Sequence, residues 1–85
     1  MSQEEFFKQC VNLLQQLTPE RDFADLRPDT HLWIDGYLDS LALLDVITFV
    51  EELVGEEIVL DGNFLPTFFT IENIYSNYVA DAVPA

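Results

Sequence analysis

Positive charge is nearly missing from this chain. Lys8, Arg21 and Arg27 stand against sixteen acids, for a formal net charge of −13, and beyond Arg27 only His31 can become cationic. A surface this acidic repels polyanions, which excludes nucleic acid and inserted or anionic membranes as partners and favours a monomer. It attracts proteins with basic patches, fastest at low salt. Cysteine occurs once, at Cys10, so an internal disulfide and a cysteine-based zinc site are excluded, and a reducing cytoplasm fits this usage. No apolar run reaches the ~18–20 residues of a membrane span. The opening "MSQEEFFKQC" lacks the basic and apolar regions of a secretory signal. Three widely spaced glycines cannot make a glycine-rich phosphate loop.

Catalytic sets are missing too. A serine hydrolase needs a nucleophile elbow, G-x-S-x-G, with a histidine and an acid. Around Ser40 the string is Leu-Asp-Ser-Leu, and His31 stands in an upstream loop, where it reads as a packing residue. The stretch "HLWIDGYLDSLA" has a glycine at the calcium-loop position, but His31, Trp33 and Ala42 occupy places that require oxygen ligands. Glu51-Glu52 and Glu56-Glu57 are neighbours in sequence and read as a solvated face. The chain is therefore expected not to be an enzyme and to hold no metal.

What is present is apolar material, 49% of 85 residues, too much for a disordered acidic tail and enough for one small domain over residues 1–85. "SQEEFFKQCVNLLQQL" places Phe6, Phe7, Cys10, Val11, Leu13, Leu14 and Leu17 at helical spacing, with Ser2 and Glu5 as a capping box and Thr18-Pro19 as the stop. Cys10 lies on the apolar stripe and reads as a small core residue. Residues 18 to 39 form a long connection whose Phe23, Leu26, Leu32, Trp33, Ile34 and Leu38 are expected to pin it to the core. A second helix runs from Ser40 to about Val54 and stops at Gly55. A second connection, "EEIVLDGNFLPTFF", is expected to hold one irregular helical turn interrupted by Pro66. The last helix, "TIENIYSNYVADA", is capped by Thr70 and turns Ile71, Ile74, Tyr75, Tyr78 and Val79 inward. The fold class is all-α: a small up-and-down four-helix bundle with three main helices, one short third helix and a long first loop.

Ser40 stands at the entry of the second helix, where unpaired N–H groups and the helix dipole favour negative charge. Two readings are open there: an ordinary N-cap, or an attachment point for an anionic group. The helix behind it is also apolar on more than one side. Leu43, Val46, Val50 and Leu53 make a core stripe, while Leu41, Leu44 and Ile47 fall partly outside it. That surplus is either a broader buried face or a surface for a partner.

The string "DGYLDSLALLDVITFVEELVGEEI" resembles the acyl carrier protein family, the phosphopantetheine-binding domains. Asp39-Ser40-Leu41 matches the family's D-S-[LM] centre. Asp45, the Glu51-Glu52 pair and Glu57-Ile58 continue the pattern, and "FFTIENIYSNYV" resembles its closing helix. D-S-L alone is a weak match; the string from Gly36 to Ile58 is a strong one. By this resemblance Ser40 carries a 4′-phosphopantetheine arm beside Asp39, and acyl or aminoacyl groups ride on the arm as thioesters, so the reactive sulfur is not Cys10. Expected partners are a phosphopantetheinyl transferase, an adenylating enzyme that activates the acyl or aminoacyl group, and an acyltransferase or condensing enzyme of a biosynthetic pathway. Leu41, Leu44 and Ile47 would form the docking patch, ringed by Asp39, Asp45, Glu51 and Glu52. Charge reversal at Asp45 and Glu51 is expected to slow loading and leave the fold intact.

Gly36 stands four places before Ser40, where fatty-acid carriers usually have glycine three places before. The longer spacing resembles D-alanyl carriers and other stand-alone carriers that work with adenylating enzymes. "GNFLPTFFT" resembles their E-N-F-x-T-[IV] run, with extra residues around Pro66. With its initial methionine and short tail, the chain is expected to be such a discrete carrier. The alternative is an acidic helical interaction domain without a prosthetic group.

Overall fold

The computed structural model describes residues 2–80 and is all-helical, with no strand among them. Helix α1 is Gln3–Leu17 and helix α2 is Ser40–Val54. A 3-10 turn covers Leu65–Phe68, and helix α3, Ile71–Ile74, runs directly into a π turn, Tyr75–Val79. This is the expected helical bundle, its short third helix reduced to a four-residue 3-10 turn. The expected last helix also took in Asp81 and Ala82, which lie outside the described residues.

Local chemistry sets the helix ends. Ser2 Oγ accepts from the Glu5 amide at 3.1 Å, and the Thr18 amide closes α1 onto the Leu14 carbonyl. Gly55, at φ +76°, ends α2 in the left-handed region that glycine enters without a Cβ clash, and its amide bonds the Glu51 carbonyl. Pro66 begins the 3-10 turn instead of interrupting it, because a missing N–H costs nothing in a first turn. Thr70 caps α3 through the Asn73 amide. The π turn, whose hydrogen bonds span five residues, carries the helix on to Val79, which is buried like Ile74.

Phe6, Val50 and Phe68 have no exposed surface and join α1, α2 and the 3-10 turn in one core. Full burial of each contributes about 1.5–3 kcal/mol. Phe6 stacks on Phe49 and meets Tyr75, while Phe68 meets Tyr78, whose hydroxyl lies 2.6 Å from Thr67 Oγ1. Cys10 is in this core, and burial pushes its thiol up to about 12, which removes it from nucleophilic chemistry. No polar or charged side chain is fully buried among the described residues.

The first connection is pinned as its apolar residues predict. Phe23, Leu26, Leu32 and Leu38 are buried and Trp33 is half-buried against them, its indole N–H enclosed without an acceptor among the described residues. Two backbone bonds tie it to the start of α3, Leu32 N–H to Phe69 O at 2.7 Å and Glu72 N–H to Pro28 O at 2.9 Å. Ile34 departs from the expectation: it is 78% exposed, because the turn over residues 32–36 points it away from the core. His31 packs its ring on Phe69 and accepts the Ile34 amide on Nδ1.

Candidate functional site: the entry of helix α2

The site is built by the turn that leads into α2. Leu32 O accepts from both the Tyr37 and Leu38 amides, at 2.8 and 3.1 Å, and buried Leu38 anchors the end of the loop. Gly36 completes the turn at φ +78°, a conformation that strains any residue with a Cβ. Arg21 closes it from outside. Its Nη1 donates to Gly36 O at 2.9 Å and its Nη2 to Asp35 O at 2.8 Å, while the guanidinium lies 4.2 Å from the centre of the Tyr37 ring.

Past this turn Asp39 caps the helix. Its Oδ1 accepts from the Ala42 amide at 2.8 Å and its carbonyl from the Leu43 amide at 2.8 Å. Ser40 is therefore not the N-cap. It is the first helical residue, exposed, with its hydroxyl left out of the cap. The Ser40 and Leu41 amides occupy positions that have no intrahelical acceptor, so this end of α2 favours an anion.

Behind Ser40 the helix divides its apolar residues between two faces. Leu43, Val46, Ile47 and Val50 are buried, and Leu53 is half-buried at the edge of that stripe. Leu41 and Leu44 project outward, 76% and 59% exposed. Ile47 leaves the expected docking patch: at 6% exposure it is a core residue, since it lies one turn from Leu43 on the face that meets the bundle. A groove of about 230 Å³ runs beside Ser40 where the end of α1 meets the start of α2, lined by Leu17, Thr18, Asp39, Leu41, Ala42 and Asp45.

The acids also divide. Asp39, Asp45 and Glu52 are exposed, Asp39 with one oxygen on the cap. Glu51 is half-buried and its Oε2 accepts from the Ile58 amide at 2.9 Å, so it holds the second connection against α2. That bond ties Glu51 to the second connection, so reversing its charge would also break a contact within the fold. Glu51 and Glu52 line a second groove of about 270 Å³ at the far end of the helix, with Thr48, Gly55, Glu56 and Glu57.

Two features of the site had no local signal. Arg21 is fifteen residues from Gly36, and nothing in its own segment marks it as a clamp. Val59 and Leu60 follow buried Ile58 and stand exposed, though their composition resembles core.

No protein-family model, curated protein or solved structure matches this chain.

Proposed function

We propose that this protein is a carrier of acyl or aminoacyl groups, modified on Ser40 with 4′-phosphopantetheine. The observation that carries the reading is the state of Ser40: an exposed primary hydroxyl at the first residue of α2, released from capping by Asp39. A phosphodiester there fits the chain's own groups. The open amides of Ser40 and Leu41 and the positive end of the helix dipole favour its charge, and Ser40 is exposed. The arm, when bound, supplies the thiol that holds cargo as a thioester.

Everything else is presentation. Asp39 holds the helix start so that Ser40 keeps one direction toward a modifying enzyme. Leu41 and Leu44 offer apolar contact beside it, and Asp45 and Glu52 attract the basic residues of a transferase, an adenylating enzyme or an acyltransferase. On this reading the chain presents the cargo and its partner enzymes supply the chemistry of transfer. A cytoplasmic biosynthetic setting fits its lone buried thiol and its acidity. No helix is long and apolar enough to cross a membrane among the described residues.

The test is co-expression with a broad-specificity phosphopantetheinyl transferase, followed by intact-mass measurement beside Ser40→Ala. A single phosphopantetheine adduct on the wild-type chain, lost in Ser40→Ala, is the expected result. No adduct on wild type discards the carrier reading. It leaves the acidic interaction domain, which the exposed Leu41 and Leu44 with their acidic neighbours also fit.

A further inference from the structure

We infer that Arg21 is a positioning residue for the modification of Ser40, a role that rests on the carrier reading. Three contacts converge on one side chain: two donated hydrogen bonds, to Gly36 O at 2.9 Å and Asp35 O at 2.8 Å, and the Tyr37 ring at 4.2 Å. All three lie in the turn whose exit sets the direction of Asp39 and Ser40. The fit is close. A Cβ on Gly36 would stand 3.3 Å from Arg21 Nη1, in a backbone conformation that already disfavours one. Only the planar fork of arginine can bridge two adjacent carbonyls while lying on an aromatic face; lysine is a point donor.

The turn does not need Arg21 in order to exist. Leu32 O still receives the Tyr37 and Leu38 amides, and Leu32 and Leu38 remain buried. What Arg21 adds is rigidity on the exposed side, where the Asp35 and Gly36 carbonyls accept no other hydrogen bond among the described residues. A turn held in one conformation presents Ser40 and Leu41 already arranged for docking, so a transferase loses less binding energy to ordering them. The effect therefore belongs in KM for the carrier and not in kcat, because the reacting groups other than Ser40 reside on the transferase.

The sign of the effect separates this role from plain electrostatics. Removing Arg21 makes a chain of charge −13 more negative, which by itself speeds capture by a basic transferase. Positioning predicts slower loading. Steady-state phosphopantetheinylation is measured by intact mass for wild type, Arg21→Gln, Arg21→Lys, Gly36→Ala and Arg21→Gln/Gly36→Ala, each well below its melting temperature. Arg21→Gln is expected to raise KM by about 3- to 10-fold at constant kcat, less than the ~100-fold that a 1 Å misplacement of a reacting group costs. Arg21→Lys, which keeps the charge, falls between Arg21→Gln and wild type. The double variant is no worse than Gly36→Ala alone, since both changes break the same contact. An unchanged or lowered KM in Arg21→Gln overturns the inference and leaves the carrier reading standing, as does a fall in melting temperature with unchanged kinetics. If Arg21→Gln does not fold, Arg21→Lys carries the test, and a wild-type KM there overturns it. A wild-type chain that takes no adduct removes both.

Discussion

Glu51 Oε2 accepts the Ile58 amide hydrogen at 2.9 Å, across seven residues and around the end of α2. One acid of a Glu-Glu pair thus fastens the second connection, while its neighbour Glu52 stands in solvent. The pair looks uniform in sequence but has two functions. Glu51→Ala is expected to lower stability by about 1–2 kcal/mol, in the range for a partly exposed hydrogen bond to a charged group. Glu52→Ala should change it by less than about 0.5 kcal/mol. Urea melts check both, and a matched loss in the two variants would remove the structural role given to Glu51.

The start of α2 makes a parallel distinction. Asp39→Ala deletes the cap on the Ala42 amide and should cost about 1 kcal/mol. Ser40→Ala, at the first helical position, removes only an exposed hydroxyl, and alanine is a good helix former. It should leave the melting temperature within a degree or two, roughly a change under 0.5 kcal/mol, while abolishing modification. Thermal melts beside intact mass read both effects. Loss of stability in Ser40→Ala comparable to that in Asp39→Ala would return Ser40 to the role of cap.

Ile47 and Leu44 lie three residues apart on one helix but face different neighbours. Ile47→Ala should cost about 2–5 kcal/mol, as for other buried aliphatic truncations. Leu41→Ser and Leu44→Ser should stay within about 0.5 kcal/mol of wild type and slow loading by a phosphopantetheinyl transferase. Denaturant melts and loading kinetics separate the two classes. Wild-type loading of the Leu41→Ser/Leu44→Ser double variant would discard the docking face.

Cys10 gives the chain an alkaline signature. Its folded thiol is pushed up to about 12, from an ordinary value of 9.0, by desolvation. The unfolded state therefore releases this proton first. The contribution of Cys10 to stability is constant below pH 9.0, then falls with rising pH through the window from 9.0 to about 12. Cys10→Ala should be less stable at neutral pH, through lost packing, yet show a shallower loss across that window than wild type. Urea melts at pH 7 and pH 10 measure the difference in slope. Equal slopes would show that Cys10 is not protected by burial.

The sequence by itself determined the helices and most of the core. Their signals are local: Ser2 three residues before Glu5, Gly55 at the end of an apolar run, Thr70 before Ile71, and apolar residues recurring at helical spacing. Such features act within one or two turns, so a single strand of text contains both partners. It also carried the Asp39-Ser40-Leu41 string and the excess of acid that motivate the proposed carrier role. Helical spacing did not decide which side of α2 was broadly buried. That depended on how the rest of the chain packed against α2, which buried Ile47 and left Leu41 and Leu44 open. Tertiary structure alone also divided Glu51 from Glu52 and brought Arg21 onto the Gly36 turn. In each case the partner lies many residues away, on a segment whose position is fixed only when the core closes, and no local pattern records a contact made at that distance.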